Sequence, residues 1–265
     1  MTSRSPLRVE RDGAVTILTL DRPDVLNAFN DALTEALAAA VADCAADARV
    51  RAVVITGAGR AFSAGQDLAD RLAMIEKGGD LRLGDELRRR YHPVIAAIRA
   101  MRKPVIAAVN GVAAGAGLGL AVACDVRVAA GSATFRPAWG RVGLVPDAGS
   151  AYFLPRLVGW GRALEMVLSG EPVSAEEALR IGLVTRVWPD EEFPQRWHEH
   201  AAALARGATE AYALTKEGMN ASQACDLDSF LEIEAELQDR AGRTSDYARG
   251  VRAFAAKQRV EFEGR

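Results

Sequence analysis

The chain has 265 residues, of which 49% are hydrophobic and 26% are charged, a balance typical of a globular protein with a substantial core. This composition excludes an intrinsically disordered chain, which would lack enough apolar surface to offset the entropy lost on ordering. The 33 Lys and Arg residues nearly balance the 35 Asp and Glu residues, and the net charge of −2 argues against nucleic acid as the main partner.

The first predicted elements are a β-hairpin and a long helix. Residues 7–23 contain two short β-rich runs on either side of Asp12 and Gly13, a pair of residues typical of a hairpin turn. Residues 31–47 carry apolar side chains at helical spacing, and Asp31 is the expected N-cap of this helix.

Three buried strands are predicted further along the chain. They cover residues 50–56, 104–109 and 125–129, and a short Gly- and Ala-rich helix separates the last two. Residues 68–84 are charged and interrupted by glycines, which predicts a mobile segment before a helix over residues 85–101. Strands that alternate with helices in this way indicate an α/β core.

The pattern changes after Trp188. From residue 190 onward the sequence predicts helices rich in Ala, Glu, Leu and Arg, and no convincing strand. We therefore expect an α/β core over residues 1–190 and a helical region over residues 191–265, packed as one body because no low-complexity linker separates them. Helices whose apolar faces have no core of their own often pack against a neighbouring subunit, so we expect a homo-oligomer.

The cysteines and the N-terminal residues indicate a reducing, cytoplasmic location. Cys44, Cys124 and Cys225 are odd in number, far apart and without a CxxC pair, so we expect buried thiols rather than disulfides or a zinc site. Residues 1–13 contain no apolar signal-peptide core, and no apolar run is long enough to span a membrane. We therefore expect neither secretion nor a membrane partner.

Two glycine-rich turns form the candidate site. Residues 57–68 and residues 109–120 each follow a predicted buried strand, and the second turn also opens a helix. Small residues let a ligand approach the backbone, and N–H groups at a helix start carry a partial positive charge. Two such turns could direct two N–H groups at one oxygen atom, which is the requirement of an oxyanion hole.

Two other interpretations of these glycines stay open. One is that the glycines only permit tight packing. The other is a dinucleotide-binding fold, although the first turn lacks GxGxxG spacing and no Walker lysine follows Gly111 and Gly115 in the second.

A series of short motifs runs along most of the chain. They are residues 21–23 (DRP), 26–28 (LNA), 61–68 (AFSAGQDL), 103–111 (KPVIAAVNG), 123–125 (ACD), 143–147 (GLVPD), 154–156 (LPR), 174–178 (SAEEA) and 182–184 (GLV). In this order they resemble the enoyl-CoA hydratase/isomerase (crotonase) superfamily from about residue 7 to the C-terminus. The resemblance is specific for the family and much less so for the reaction.

The resemblance implies a superhelical core of ββα repeats and C-terminal helices that assemble trimers or dimers of trimers. It also implies an acyl-CoA thioester substrate, whose carbonyl oxygen would lie between the backbone N–H groups of Gln66 and Ala116 and become an enolate there. Coenzyme A is part of the substrate, and no metal or other cofactor is implied. The implied CoA-binding residues are Asn27, Ala28, Ala64, Gly65, Gln66, Asp67, Leu68, Phe254 and Lys257.

The chain departs from the family at the residues that carry hydration. Hydratases of the family use two glutamates, and Gly119 and Trp139 stand at those positions here. The remaining carboxylate is Asp147, in a GLVPD segment that resembles the base of the ring-epoxide phenylacetyl-CoA isomerase branch. An aspartate in a small apolar pocket should have a raised pKa, which suits a group that takes and returns a proton. The alternative role of Asp147 is the N-cap of a helix that begins after it.

Three residues also resemble the chlorobenzoyl-CoA dehalogenase branch. There the residue matching Asp147 attacks the ring, the one matching His92 activates water, and the one matching Trp139 orients the carboxylate. A lone histidine on a helix is more often structural, and we expect Trp139 to form a wall of the acyl pocket rather than to donate to Asp147. For Asp67 and Asp125 we expect structural hydrogen bonds.

These observations favour an acyl-CoA double-bond isomerase that acts in aromatic, phenylacetate or fatty acid degradation. Asp147 would be its base, and the N–H groups of Gln66 and Ala116 would hold the enolate oxygen. An enoyl-CoA hydratase, and a dehalogenase or thioester hydrolase with an aspartate nucleophile, stay open. A more distant alternative is an RNA-binding homologue, which would need residues 88–90 and 99–103 as an exposed basic stripe.

Overall fold

The computed structural model describes residues 5–76, 78 and 82–265, and these residues form ten strands in two sheets. In chain order the strands are β1 (Leu7–Asp12), β2 (Val15–Leu20), β3 (Ala52–Gly57), β4 (Ala61–Ser63), β5 (Val105–Val109), β6 (Val112–Ala114), β7 (Val126–Ala130), β8 (Thr134–Arg136), β9 (Val173–Ser174) and β10 (Arg186–Trp188). The larger sheet has the order β1-β2-β3-β5-β7-β10, and the smaller has the order β4-β6-β8-β9.

The helices lie on the faces and ends of these sheets. They are α1 (Asp31–Ala46), α2 (Leu68–Glu76), α3 (Leu83–Glu86), α4 (His92–Ala100), α5 (Ala116–Ala123), α6 (Ser150–Val158), α7 (Trp160–Ser169), α8 (Ala175–Arg180), α9 (Phe193–Ala205), α10 (Thr209–Ala221), α11 (Leu227–Gly242) and α12 (Ser245–Ala255). A π-helical turn (Leu87–Tyr91) joins α3 to α4, and a 3₁₀ turn (Trp139–Val142) follows β8.

Three consecutive units of the chain share one pattern. In each unit a strand of the larger sheet is followed at once by a short strand of the smaller sheet and then by helix: β3 with β4, β5 with β6, and β7 with β8. Apart from the antiparallel β1–β2 and β8–β9 pairs, the strands run parallel. This is the ββα superhelix that the resemblance implied, so the predicted α/β fold class is confirmed.

The central strands are buried on both faces, as parallel strands covered by helices must be. One face of the larger sheet packs against α1, through Leu18, Val53, Ile55 and Val105 with Leu33, Leu37 and Val41. The opposite face packs against α9, through Ile17, Val54, Ile106 and Val128 with Phe193, Trp197 and Ala201. The near-continuous apolar runs that predicted buried strands therefore reflect two separate layers of packing.

The N-terminal predictions are confirmed except for one helix cap. The hairpin turns between Asp12 and Val15 as expected. The N-cap of α1 is Asn30 rather than Asp31, because the Asn30 side chain accepts a hydrogen bond from the Leu33 N–H at 3.0 Å. Asp31 is the first helical residue and instead pairs with arginines of the π-helical turn.

The region between β4 and β5 contains a helix and a π-helical turn that the sequence did not predict, and its expected mobility stays a prediction. The segment expected to be mobile contains α2, and residues 77 and 79–81 lie outside the part of the chain that the structure describes. The helix expected over residues 85–101 is present but contains the π-helical turn, in which the His92 N–H donates to the carbonyl of Leu87, five residues earlier. This turn changes which side chains face the core.

After β10 the regular elements of the described chain are all helices, as predicted. The first of these helices, α9, belongs to the core because it covers one face of the larger sheet. The boundary at residue 190 between a catalytic core and an oligomerisation region stays a prediction. Among the residues that the structure describes, no helix is both long and apolar enough to cross a membrane.

Candidate active site

The first glycine turn is held in place by Phe29. The Phe29 N–H donates to the Gly65 carbonyl at 2.7 Å, and the Asp67 N–H donates to the Phe29 carbonyl at 3.0 Å. Successive N–H groups of an extended segment point to opposite sides. The N–H of Gln66, which lies between these two bonds, therefore points away from Phe29.

The second glycine turn meets the first at Gly65. This residue has a φ of +87°, and a Cβ on it would lie 3.3 Å from the Ala116 nitrogen and 2.7 Å from the Ala114 carbonyl oxygen, so only glycine fits. Ala116 is the first residue of α5, where a backbone N–H has no partner inside the helix. The structure thus brings the Gln66 and Ala116 segments together, and their role as an oxyanion hole stays a prediction.

Asp147 is hydrogen-bonded to the indole of Trp139. Trp139 Nε1 donates to Asp147 Oδ1 at 2.7 Å, and the Trp139 side chain is buried with 3% of its surface exposed. Burial raises the pKa of the Asp147 carboxyl above its ordinary value, while the indole N–H opposes that shift by stabilising the charged form. The expectation that Trp139 is a pocket wall rather than a donor to Asp147 is wrong.

Asp147 does not cap the helix that follows it. Gly149 occupies the N-cap position of α6, without a side-chain cap, and Asp147 contributes only its backbone carbonyl, which accepts from the Ser150 N–H at 2.8 Å. Ala148 and Gly149 both have positive φ, at +49° and +77°. This left-handed pair separates Asp147 from the helix axis, so its carboxylate can face Trp139.

The pocket offers no space at Gly119. A Cβ built on Gly119 would lie 2.6 Å from the Ala148 Cβ and 2.8 Å from Ser150 Oγ, closer than side chains approach each other. Ala148 and Ser150 are both buried. The loop that carries Asp147 thus occupies the space into which a side chain at residue 119 would extend.

Tyr91 is a member of the site that sequence reasoning missed. Its hydroxyl donates to Gln66 Oε1 at 2.6 Å, and its ring is buried. Burial, and secondarily the charge of Asp147, raise the pKa of Tyr91 well above its ordinary value, so the phenol is within electrostatic reach of Asp147. The only signal in the sequence was an aromatic residue beside the candidate His92.

His92 is exposed at the start of α4. Neighbouring residues of a helix point about 100° apart, so a turn that directs Tyr91 inward directs His92 toward solvent. The structure therefore brings Tyr91, rather than His92, to the other site residues. A catalytic role for His92 stays a prediction.

The two segments expected to bind CoA lie side by side. The Ala64 N–H donates to the Leu26 carbonyl at 2.8 Å, which continues the pairing made by Phe29. Asn27 is fully buried, and its side-chain amide donates to the Ala58 and Ala61 carbonyls, so it shapes the turn rather than presenting its amide to a ligand.

The other candidate CoA-binding residues differ in exposure. Ala28 is buried, and the Asp67 carboxylate pairs with Arg22 at 3.1 Å, a structural bond as expected. Leu68 is 54% exposed on α2, and Phe254 is 88% exposed near the end of α12. Lys257, just beyond α12, is also exposed. Their contact with CoA stays a prediction.

Asp125 and the basic clusters have structural partners. Asp125 accepts from the Val105 N–H and from Lys216 Nζ, which confirms its expected structural role. In the clusters, Arg88 pairs with Asp85, and Lys103 is buried with its ammonium bonded to carbonyls at the end of α1. These pairs leave little of the free basic stripe that RNA binding would require.

The sequence model of the family described as enoyl-CoA hydratase/isomerase matches residues 10–265. The chain belongs to this family. It is 45% identical over 259 residues to a Rhodobacter capsulatus protein named "Probable enoyl-CoA hydratase", covering 98% of both chains. It is 41% identical over 251 residues to the 1,2-epoxyphenylacetyl-CoA isomerase of Escherichia coli K12, covering 95% of both.

A solved structure agrees with this assignment. The crystal structure of an enoyl-CoA hydratase from Bacillus anthracis superposes with a TM-score of 0.91 and 32% identity, covering 98% of this chain and 100% of that one. The protein is therefore a crotonase-family enzyme with the crotonase fold.

Proposed function

We propose that this enzyme is an acyl-CoA double-bond isomerase in which Asp147 removes a proton from one carbon of the acyl chain and returns it to another. The observation that carries the proposal is a half-buried Asp147 carboxylate, hydrogen-bonded to Trp139, beside a closed space at Gly119. Hydration by two positioned acids would need a second carboxylate, and Gly119 and Trp139 supply none.

The proposed reaction conserves all atoms of the substrate. The ionised Asp147 takes a proton from the acyl chain, the C–H electron pair forms a new C=C bond, and the thioester carbonyl electrons move onto oxygen. The N–H groups of Gln66 and Ala116 stabilise the negative charge of this dienolate. Protonated Asp147 then delivers its proton to the other end of the dienolate, which restores the carbonyl and shifts the double bond.

The environment of Asp147 suits both halves of this reaction. Burial raises its pKa, so the carboxyl can hold a proton between abstraction and return, whereas an unperturbed carboxyl would release it readily to water. The Trp139 indole binds one carboxylate oxygen and thereby fixes the direction of the other. We further propose that the enzyme acts in aromatic or fatty acid degradation at a cytoplasmic location. The name of the Escherichia coli relative supports an aromatic acyl-CoA substrate.

Turnover of a small panel of thioesters tests this function. With crotonyl-, 3-hexenoyl-, phenylacetyl-derived and halobenzoyl-CoA, we expect isomerisation of a 3-enoyl thioester and slow or no hydration of crotonyl-CoA. Rapid crotonyl-CoA hydration would contradict the argument from Gly119 and Trp139 and would favour the hydratase named for the Rhodobacter relative.

A second candidate is a dehalogenase or thioester hydrolase with Asp147 as nucleophile. The Trp139–Asp147 hydrogen bond favours it, because an oriented carboxylate is what a nucleophilic attack requires. The exposed position of His92 disfavours it, since no histidine then stands beside Asp147 to activate water. Halide release from a halobenzoyl thioester would establish this activity.

Exposed apolar residues support assembly into trimers or dimers of trimers. Trp160 and Leu168 of α7 are each 73% exposed, and Tyr247 and Phe254 project from α12. Large apolar side chains grouped on one helix face usually mark a contact surface. Light scattering at micromolar concentration should therefore show an oligomer, and a stable monomer would contradict this part of the proposal.

A further inference from the structure

We propose that Tyr91 is a positioning residue for the oxyanion hole, which holds the peptide between Gly65 and Gln66 through two contacts. One contact is the hydrogen bond from the Tyr91 hydroxyl to the Gln66 carboxamide, and the other is the packing of the Tyr91 ring against the Phe29 ring. The inference rests on the proposed function, because it names the group that holds the Gln66 N–H in the orientation that the enolate needs.

The peptide in question needs an external support. The N–H of Gln66 and the carbonyl of Gly65 belong to the same planar unit, so they rotate together. Gly65 has a φ of +87° and no Cβ, so its own conformational preferences do little to fix that plane. The orientation of the Gln66 N–H therefore depends on what binds the atoms around it.

Phe29 and Tyr91 bind this unit from two directions. The Phe29 N–H holds the Gly65 carbonyl at 2.7 Å. The Tyr91 ring packs edge-on against the Phe29 ring, with centroids 5.8 Å apart and an interplanar angle of 86°, while its hydroxyl binds Gln66 Oε1 at 2.6 Å. Tyr91 thus contacts both Phe29, which holds the Gly65 carbonyl, and the side chain of Gln66, whose backbone supplies the N–H.

Tyr91 is itself rigidly held. Only 7% of its surface is exposed, and it is the last residue of the π-helical turn. Such turns insert an extra residue into a helix and are frequent at functional sites. The preceding Arg90 is 11% exposed, pairs with Asp31, and places Nη1 at 3.4 Å from Gln66 Oε1. Gln66 Oε1 therefore lies between two donors from one turn.

A Tyr91→Phe variant isolates the hydroxyl, because phenylalanine keeps the ring and its contact with Phe29. The readout is the fraction of bound acetoacetyl-CoA present as its enolate, followed by near-ultraviolet absorbance, which reports on the oxyanion hole without requiring isomerase turnover. Losing one neutral hydrogen bond should lower the enolate-to-keto ratio about three- to tenfold. Isomerase kcat should fall by the same factor, with KM nearly unchanged.

A double-variant comparison separates positioning from direct contact with substrate. Gln66→Met removes the acceptor of both donors, Tyr91 and Arg90, and keeps the backbone N–H, so its loss should be at least as large as that of Tyr91→Phe. The double variant should lose no more than Gln66→Met alone. Losses that multiply would show that Tyr91 acts independently of Gln66 and would overturn the proposal. Tyr152→Phe on α6, where Tyr152 is 46% exposed, is the matched control and should match the parent protein.

The remaining outcomes are also decisive. An unchanged enolate-to-keto ratio in Tyr91→Phe overturns the proposal. If Tyr91→Phe does not fold, Gln66→Met removes the same hydrogen bond, and an unchanged ratio in that variant overturns the proposal instead. If the parent protein enolises acetoacetyl-CoA but shifts no double bond, the isomerase function is contradicted. The comparison of Tyr91→Phe with the parent protein is still valid in that case. The two failures are therefore distinguishable.

Discussion

The loop that carries Asp147 and helix α5 pack against each other but offer different chemical groups. The loop contributes a half-buried carboxylate that is oriented by an indole N–H. The helix contributes the Ala116 N–H and, one turn later, Gly119, whose side-chain space is filled by Ala148. In the proposed mechanism the loop transfers the proton and the helix stabilises the charge, so a proton that leaves the substrate returns from the same group, Asp147.

Removing the carboxylate of Asp147 should have the largest effect on activity. Asp147→Asn keeps the size of the side chain and an oxygen that can accept from Trp139, but it cannot take a proton. General base catalysis contributes about 10²- to 10⁴-fold, so isomerisation should fall by about a thousandfold, together with exchange of substrate protons with solvent. Steady-state kinetics and solvent exchange measure both losses.

Thermal melting at neutral pH is the control for Asp147→Asn. Burial raises the pKa of Asp147, so the charged form is disfavoured in the folded protein, and this group stabilises the fold less as pH rises through its raised pKa. The uncharged variant should therefore melt no lower than the parent. If Asp147→Asn melts far below the parent protein, its loss of activity reflects unfolding and does not support a catalytic role for Asp147.

Removing a donor from the other side of the pocket should have the next largest effect. Ala116→Pro deletes one backbone N–H at the first position of α5, where proline is compatible with a helix. Loss of one oxyanion donor should lower kcat about a hundredfold or more. The matched control Ala116→Gly keeps the N–H and should lose little. Gln66→Ala, which keeps its backbone N–H, should lose no more than about tenfold.

Trp139→Phe tests how the carboxylate is tuned. The indole N–H stabilises the charged form of Asp147, so its loss should raise the Asp147 pKa further above the ordinary value. The base is active when ionised, so activity falls as pH drops through this pKa, and the acid limb of the kcat profile should move to higher pH. At neutral pH we expect about a tenfold loss, in line with a hydrogen bond to a charged group. An unmoved acid limb would show that Asp147 does not control the rate.

Gly119→Ala tests the closed side of the pocket. Its new methyl group would overlap the Ala148 Cβ, and overpacking of this kind costs about 1–3 kcal/mol of unfolding free energy. Denaturant unfolding should show this loss, and Ala148→Gly introduced with it should relieve part of it, because the contact with Ser150 Oγ at 2.8 Å remains. If the changes in unfolding free energy caused by Gly119→Ala and Ala148→Gly simply add in the double variant, Ala148 does not fill this space.

His92→Gln should have the smallest effect, because His92 is exposed and Tyr91 occupies the inward position. We expect it to retain most of the isomerisation rate and of the solvent exchange. A loss as large as that of Asp147→Asn would place His92 in the chemistry and favour the hydrolytic alternative.

The buried strands and the glycine turns could be predicted from residue type and local order. The ββα superhelix and the choice of Asp147 came from the resemblance to the family, and the role of Asp147 stays a prediction. Residue patterns alone did not reveal the second sheet, since β4, β6, β8 and β9 are only two or three residues long. Strands this short leave no periodic signal in a sequence.

The errors within the site have a common physical cause. Trp139 was assigned to a wall because a residue type does not show which acceptor its indole N–H will reach. The acceptor is Asp147, which directly precedes the left-handed pair Ala148 and Gly149. Tyr91 was missed because a regular helix through its position was assumed, and the π-helical turn was not visible in the sequence. Both features depend on backbone conformations, a left-handed pair and a π-helical turn, that residue type alone does not predict.

Isotope incorporation during turnover tests the central claim most directly. In heavy water, a proton-shuttling Asp147 should exchange an acyl C–H for deuterium, form no covalent adduct, and leave its own oxygens unchanged in water labelled with oxygen-18. Mass spectrometry of the substrate and of the peptide containing Asp147 measures both. Oxygen-18 in Asp147 after turnover, with His92→Gln stalled as an ester on that residue, would contradict the isomerase assignment and establish a nucleophilic aspartate instead.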